Sequence, residues 1–137
     1  MADSIVLTFG TFDLFHIGHL RILERAAKLG DTLIVGVSTD ELNWSKKQKV
    51  PAVPYAQRAA IVRAIRCVDH VFPEESLEAK RRYLEEHNAS VLVMGDDWEG
   101  RFDEFKDICK VVYLPRTENI SSTLLKEQIA GSHFTSS

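Results

Sequence analysis

Two histidines, His16 and His19, stand three residues apart shortly after an apolar segment, Ile5–Phe9. That segment predicts a buried β-strand and the apolar spacing over 19–29 predicts a helix, so the pair lies where a strand leads into a helix. Backbone N–H groups at a helix start bind anions, and Gly18 lets a bulky anion approach the main chain. Histidines at this spacing can direct two N–H donors at one anion. The pattern therefore predicts a phosphate site.

Zinc is the alternative ligand for this pair, since histidines three apart can chelate a metal. A zinc site needs a third ligand, and Asp13 is the one candidate nearby in sequence. Two other phosphate-binding motifs are absent from the sequence, which contains neither G-x-G-x-x-G nor Gly-Lys-Ser/Thr. A Rossmann dinucleotide site and a P-loop are thereby excluded.

A second polar segment, residues 95–100, follows the predicted strand Val91–Met94. The carboxylates of Asp96 and Asp97 can accept hydrogen bonds from ribose hydroxyls or a base amine, or help to hold Mg²⁺. Trp98 offers a flat surface for stacking. Gly-Asp clusters also form ordinary turns, so this segment alone does not identify a ligand.

A third segment, residues 116–123, follows the predicted strand Val111–Leu114. Ser121 and Ser122 are favourable N-cap residues, so hydroxyls and free N–H groups converge at a second helix start. Arg116 adds a planar donor that can bind a phosphate through two hydrogen bonds. Capping alone would also explain the serines.

Basic residues also occur in a polar stretch after the second predicted strand, Thr32–Val37. Lys46, Lys47 and Lys49 lie in the polar stretch Asn43–Lys49, which precedes two prolines and is predicted to be a mobile loop. These lysines are either a solvated charged run or a lid that closes over phosphates. Arg58, early in the next predicted helix, could reach the same cleft.

The elements that position these segments alternate between strand and helix. The predicted strands are Ile5–Phe9, Thr32–Val37, His70–Phe72, Val91–Met94 and Val111–Leu114. The predicted helices are 19–29, Tyr55–Val68, Leu77–His87, a short helix or turn at Phe102–Asp107, and Ser121–Ala130. This order predicts an α/β fold: a single-domain, Rossmann-like, parallel five-stranded sheet with helices on both faces and ligands at the carboxyl ends of its strands. The predicted domain spans 1–131, with a frayed tail at 132–137.

Composition limits the possible partners. The chain has 137 residues, of which 45% are hydrophobic and 27% charged, and a net charge of −3 argues against nucleic-acid binding. No apolar run is long enough to span a membrane and no signal peptide is visible, so the protein is expected to be cytoplasmic. Cys67 and Cys109 are expected to be small core residues.

Four segments together resemble the glycerol-3-phosphate cytidylyltransferase family nearly end to end. They are G-T-F-D-x-x-H-x-G-H, a K-x-K loop followed by an arginine, G-D-D-W-E-G, and R-T-x-x-I-S-[ST]-T. His-x-Gly-His alone indicates only the wider nucleotidyltransferase superfamily. The sequence departs from the family pattern at Asn119, where Gly is usual, and at Ser122, where Thr is usual. The lysine loop is one residue longer, which leaves open whether Lys46 or Lys47 contacts phosphate.

The resemblance implies transfer of CMP from CTP to glycerol-3-phosphate, giving CDP-glycerol and pyrophosphate. It implies a homodimer and a Mg²⁺ or other divalent ion bound mainly through the phosphates, with no direct protein ligand. The implied catalytic residues are His16, His19, Lys47 and Arg116. The implied nucleotide contacts are Thr11, Phe12, His16, His19, Lys49, Asp97, Arg116, Thr117, Ser121, Ser122 and Thr123. The implied acceptor contacts are Lys47, Arg58 and Asp13.

The chemistry of such a transfer fits these residue types. A phosphate monoester has a second pKa near 6, so at neutral pH it is already an ionised nucleophile and needs no general base. The enzyme must align it and stabilise the charge on the leaving pyrophosphate, which is the role we assign to His16 and His19. The alternatives are a cytidylyl- or adenylyltransferase with another phosphorylated acceptor, and a nucleotide-binding regulatory module without turnover.

Overall fold

A parallel sheet of five strands forms the centre of the computed structural model, which describes residues 4–117 and 121–135. Its strands are β1 (Ile5–Gly10), β2 (Thr32–Ser38), β3 (His70–Glu74), β4 (Val91–Gly95) and β5 (Lys110–Leu114). The helices are α1 (Ile17–Ala27), α2 (Asp40–Lys47), α3 (Tyr55–Ala64), α4 (Lys80–Glu86) and α5 (Ser122–Thr135). Two short 3₁₀ segments cover Asp96–Trp98 and Asp103–Asp107.

The strand order is β3-β2-β1-β4-β5, so β1 is central and pairs with both β2 and β4. Val6 of β1 lies opposite Leu33 on one side and Val91 on the other. The chain builds outward from β1 to β3 and then returns to the other side of β1. This reversal opens a crevice at the carboxyl ends of β1 and β4, where ligands bind in such sheets.

Apolar side chains cover both faces of the sheet. On one face, Leu23 of α1 and Val62 of α3 pack with Val6 and Val35. On the other face, Leu84 of α4 and the 3₁₀ residue Phe105 pack with strand residues such as Leu7 and Leu92. Strands covered on both faces carry nearly continuous apolar runs, and this explains the apolar sequences of β1, β2 and β4. The predicted α/β fold, with five parallel strands and helices on both faces, is confirmed.

The prediction of a loop over Asn43–Lys49 was wrong, because α2 occupies most of it. Thr39 is the N-cap of α2 and its hydroxyl accepts a hydrogen bond of 3.1 Å from the N–H of Leu42. Acidic residues begin this helix and lysines end it, so charges at both ends interact favourably with the helix dipole and stabilise the helix. Gln48, in a left-handed conformation with φ of 57°, ends it.

Several boundaries also differ from prediction. Pro73 lies inside β3 instead of ending it, because β3 is an edge strand and one of its sides needs no ladder hydrogen bond. α3 ends at Ala64 and α4 begins at Lys80, so both are shorter than predicted. α5 continues to Thr135, past Gly131, since one glycine costs a helix only about 1 kcal/mol. The domain limits of 1–131 and 132–137 stay a prediction.

None of the helices in the described ranges combines the length and the apolar character that crossing a bilayer requires.

Candidate active site

A cavity of about 770 Å³ opens at the carboxyl ends of β1, β4 and β5. All of the site residues that the resemblance implies, except Arg58, line it. They are Thr11, Phe12, Asp13, His16, His19, Lys47, Lys49, Asp97, Arg116, Thr117, Ser121, Ser122 and Thr123. Asp96 and Lys46 do not line it. The topology thus brings together four segments that are distant in sequence. Asn119, where the sequence departs from the family pattern, lies outside the described residues.

His16 and His19 are oriented by the main chain at the start of α1. His16 is the N-cap, and its Nδ1 accepts a hydrogen bond of 3.0 Å from the N–H of Gly18. Nδ1 of His19 accepts one of 3.1 Å from the N–H of His16, and the two rings stack with centroids 3.9 Å apart. Because both Nδ1 atoms accept, the ring proton of each neutral imidazole sits on Nε2. Both Nε2 atoms are therefore N–H donors.

Burial keeps both imidazoles uncharged. It lowers the pKa of His16, and it lowers the pKa of His19 to about 4, with the neighbouring His16 acting in the same direction. Nε2 of His16 is buried and has no hydrogen-bond partner among the residues that the structure describes. A buried donor without a partner is costly in a folded protein, so this atom is available to a ligand in the cavity.

The loop between β1 and α1 holds two non-glycine residues in the left-handed region, Phe12 with φ of 55° and Leu14 with φ of 48°. The ring of Phe12 folds over Gly10, where a Cβ would come within 2.9 Å of it. That ring also meets His19 at an angle of 62°, with centroids 5.4 Å apart. Gly10 therefore allows the aromatic packing that supports the His19 ring.

Arg58 supports the site from behind. It is only 1% exposed, although the resemblance implied an acceptor contact. Its Nη1 donates to the carbonyl of Thr11 at 2.7 Å and to that of Ser38 at 2.8 Å, and its Nη2 pairs with Asp40 at 2.7 Å. All of these donors are therefore used within the protein. In this geometry Arg58 does not contact a ligand directly but positions the main chain of Thr11, which lines the cavity.

A small polar network fixes the hydroxyl of Thr11. Thr11 donates to Oδ1 of Asn43 at 3.2 Å and accepts from the hydroxyl of Ser38 at 3.1 Å. Nδ2 of Asn43 closes the ring by donating to Ser38 at 2.9 Å. Asn43 lines the cavity although it is only 2% exposed. Sequence reasoning missed it because a loop was expected there, and the cap at Thr39 was the available signal.

Asp13 joins three segments of the cavity wall. Its carboxylate accepts hydrogen bonds from the N–H groups of Ala52 at 2.8 Å and Val53 at 2.9 Å, and it pairs with Nζ of Lys126 at 2.9 Å. Its backbone carbonyl accepts from the hydroxyl of Ser122. Burial acts to raise the pKa of Asp13, but the hydrogen bonds outweigh it and the pKa lies below its usual value. Lys126 is a further residue that the sequence did not single out.

The lysines at the end of α2 face different surroundings. Lys47 and Lys49 are exposed and line the cavity. Lys46 is half-buried, and burial lowers its pKa against the opposing effect of the Glu74 carboxylate. Of the two alternatives left open by the longer loop, the geometry favours Lys47 as the phosphate contact.

Asp97 and Arg116 face each other across the mouth of the cavity. Their nearest charged atoms are 3.8 Å apart and both side chains are exposed, so the pair is free to rearrange around a ligand. A Cβ at residue 95 would lie 2.7 Å from Oδ1 of Asp97, so Gly95 makes room for that carboxylate. Trp98 lines the same end and packs against Phe102.

Within the described ranges, no group of three or more His, Cys, Asp or Glu side chains is placed to hold a metal ion. The carboxylate of Asp13 is occupied by backbone N–H groups and Lys126.

Comparison with known proteins places this chain in a family. Residues 7–128 match the family model described as cytidylyltransferase-like. A glycerol-3-phosphate cytidylyltransferase from Bacillus subtilis (strain 168) is 56% identical over 92% of this chain and 97% of its own length. The chain belongs to the glycerol-3-phosphate cytidylyltransferase family. The resemblance inferred from the motifs is confirmed.

A second relative agrees with this assignment, and a solved structure matches the fold. A glycerol-3-phosphate cytidylyltransferase from Staphylococcus aureus (strain NCTC 8325 / PS 47) is 48% identical over 92% of this chain and 95% of its own length. A crystal structure of a lipopolysaccharide core biosynthesis protein from Thermoplasma volcanium GSS1 superposes with a TM-score of 0.72 at 21% identity. That superposition covers 85% of this chain and 100% of the other, and it supports the fold alone.

Proposed function

We propose that the protein transfers CMP from CTP to glycerol-3-phosphate, yielding CDP-glycerol and pyrophosphate. The observation that carries the proposal is the pair of uncharged imidazoles at the cavity wall. Each presents an Nε2–H donor, and that of His16 is buried without a partner in the described part of the chain. The relatives from Bacillus subtilis and Staphylococcus aureus are named for this activity, which supports the same assignment.

The acceptor provides its own nucleophile. The phosphate of glycerol-3-phosphate is largely a dianion at neutral pH, so an oxygen can attack the α-phosphorus of CTP without a general base. A new P–O bond forms on the side opposite the leaving group, the bond from the α-phosphorus to the bridging oxygen breaks, and its electron pair leaves with pyrophosphate. The protein must align the two phosphates and stabilise the departing charge.

His16 and His19 stabilise that charge as neutral donors. Nδ1 of each ring is held by a backbone N–H group, so the rings are oriented before substrate arrives. Preorganised donors lower the barrier because they need no rearrangement as the charge develops. No proton has to leave either ring during this step.

Positive charge on the cavity walls binds the triphosphate. Lys47 and Lys49 lie on one wall and Arg116 on another. The start of α5, where Ser121 caps the helix by accepting a 3.0 Å hydrogen bond from the N–H of Leu124, also lies in the cavity wall. The positive end of its helix dipole favours an anion there. These groups fit a polyanion with the charge distribution of CTP.

Mg²⁺ fits this arrangement as an ion carried by the substrate. The described residues offer it no cluster of protein ligands, and Mg²⁺ commonly binds through phosphates and water. When bound, it would neutralise phosphate charge and help the pyrophosphate to leave. Asp97 and Trp98 remain for the other end of the nucleotide, where a carboxylate can accept from ribose hydroxyls and an indole can stack on the base.

We also propose that the protein acts as a homodimer in the cytoplasm. Several large apolar side chains are exposed, among them Ile17 at 46%, Trp44 at 52% and Val50, which also lines the cavity, at 61%. A homodimer in which these side chains lie in the interface would remove them from water.

The decisive test measures pyrophosphate release with Mg²⁺ over a grid of nucleotides and acceptors. CTP and ATP are each combined with glycerol-3-phosphate, ribitol-5-phosphate, phosphocholine and FMN. A His19→Ala variant measured in parallel is the low-activity control for pyrophosphate release. We expect turnover for CTP with glycerol-3-phosphate. Turnover with another pair would replace the acceptor or nucleotide assignment. CTP binding without turnover for any acceptor would indicate a regulatory module.

A further inference from the structure

Lys126 lies on the second turn of α5 and lines the cavity. Its Nζ is 2.9 Å from Oδ2 of Asp13, with 47% of the lysine side chain and 5% of the aspartate side chain exposed. Among the ion pairs in the described ranges, this is the one that involves Asp13. The contact joins α5 to the loop that carries the histidines.

The carboxylate of Asp13 creates an electrostatic difficulty for an anion site. It is 4% exposed in the wall of a cavity that must bind a triphosphate, and like charges in a poorly solvated site repel strongly. It cannot turn away, because both oxygens hold backbone N–H groups, those of Ala52 and Val53. The negative charge therefore needs a nearby positive one.

The other cations of the site are engaged elsewhere or form no ion pair with Asp13 among the described residues, as is the case for Lys47 and Lys49. The guanidinium of Arg58 is occupied by two backbone carbonyls and Asp40. Arg116 lies near Asp97 at the mouth of the cavity. Lys126 is thus the described cation positioned to compensate Asp13.

The same contact orients the start of α5. The hydroxyl of Ser122 donates to the backbone carbonyl of Asp13, and Lys126 binds its carboxylate one turn later. Two successive turns are thereby attached to one residue, so the free N–H groups at the start of α5 face the cavity in a fixed orientation.

We propose that Lys126 is a positioning residue for nucleotide binding, which compensates the charge of Asp13 and holds the start of α5 against the histidine loop. The inference rests on the proposed function, because it requires a triphosphate in the cavity. Lys126 acts through Asp13 rather than by contact with the reacting atoms. Its removal should weaken binding in proportion to the number of phosphates on the nucleotide, and change kcat little at saturating CTP.

The test measures the affinities of CMP, CDP and CTP with Mg²⁺ by isothermal titration calorimetry for the whole chain. Lys126→Met should weaken CTP binding at least about tenfold and CMP binding less than about threefold, since the uncompensated carboxylate repels each added phosphate. Lys126→Arg should restore CTP binding. Lys106→Met is the matched control, because it removes a lysine from a surface pair with Asp103 whose charged atoms are 3.6 Å apart.

Two further variants separate the possible causes. Lys126→Gln keeps a hydrogen-bond donor near Asp13 without the charge, so wild-type affinity in this variant would overturn the charge argument. If Lys126 acts through Asp13, adding Asp13→Asn to Lys126→Met should recover CTP affinity. No recovery would overturn charge compensation of Asp13 as the role of Lys126. Failure of the wild-type protein to bind CTP would instead refute the proposed function.

Discussion

His16 and His19 are held as uncharged hydrogen-bond donors, so their substitution should affect the rate of the chemical step more than substrate binding. Substituting either by alanine should lower kcat by about a hundredfold or more, with a smaller effect on KM, since the lost hydrogen bonds strengthen in the transition state. Steady-state kinetics with CTP and the acceptor measures this. His70→Ala, at an exposed position on β3, is the control. A large rise in KM at unchanged kcat would contradict the role.

The low pKa of His19 also makes stability depend on pH. In the unfolded chain His19 takes up a proton below its usual pKa of 6.5, whereas in the folded protein burial delays this to about 4. The contribution of an uncharged His19 to folding stability is therefore fully present above pH 6.5. It is lost as the pH falls towards 4, by up to about 3 kcal/mol.

Urea denaturation at pH 7.5 and pH 5 tests this contribution. Between these two values the wild-type protein should lose about 2 kcal/mol more unfolding free energy than the His19→Gln variant, which has no group titrating at that position. Equal losses in both proteins would show that His19 is not buried as described.

Gly95 controls the nucleotide end of the cavity by leaving space for Asp97. In Gly95→Ala the new methyl group would stand 2.7 Å from Oδ1 of that carboxylate and displace it. We expect KM for CTP to rise several-fold while the melting temperature changes by only a few degrees. An unchanged KM would remove Asp97 from the predicted nucleotide contacts.

At the scale of single residues, the sequence predicted the lining of the cavity better than the function of each lining residue. Short motifs carry the histidines and Arg116 because their chemistry requires a fixed local spacing. The burial of Arg58 and the pairing of Asp13 with Lys126 join residues far apart in the chain, and no local pattern encodes such contacts. Those roles became visible only in the folded chain.

At the scale of elements, the loop from β1 to α1 depends on its neighbours. Left-handed φ angles at two residues other than glycine cost free energy, and the cost is tolerated only where surrounding contacts fix the backbone. Those contacts come from α3 through Arg58, from the segment before α3 through Asp13, and from α5 through Ser122.

Arg58 should therefore be sensitive even to a charge-conserving change. Arg58→Lys removes most of four donated hydrogen bonds at a position that is 1% exposed, so we expect a loss of about 3 kcal/mol or more in unfolding free energy. Thermal and urea denaturation measure this. Arg63→Lys, on the same helix, should change stability by less than about 0.5 kcal/mol. A stable Arg58→Lys protein with selectively lost acceptor binding would favour direct substrate contact instead.

Strands and helices were predictable where apolar residues repeat with a clear period, as in β1, β2 and α1. α2 was not, because most of its residues are polar and its hydrophobic contacts are few. Its capping threonine and its charge distribution specify the helix, and both are weaker signals than an apolar stripe.

At the scale of the whole molecule, a homodimer is the expected assembly. Light scattering coupled to size-exclusion chromatography should give twice the chain mass. Replacing the exposed Trp44 with glutamate should shift the protein toward the monomer if that surface takes part, because a buried carboxylate would oppose association. Monomer mass across the accessible protein concentrations would contradict the assembly.

The topology was predictable as a whole because alternating strands and helices allow few arrangements once crossovers must be right-handed. The position of the cavity followed from the same rule, since the strand order reverses beside β1. The register of the strands and the exact ends of α5 depend on packing that the sequence pattern does not resolve.

Pro73 protects one edge of the sheet against uncontrolled growth. It pairs with Val37 of β2, so its ring and its missing N–H belong to the strand at the outer margin. A foreign strand aligning there would find a gap in the row of donors that fibril formation requires. We infer that this edge resists strand-by-strand aggregation.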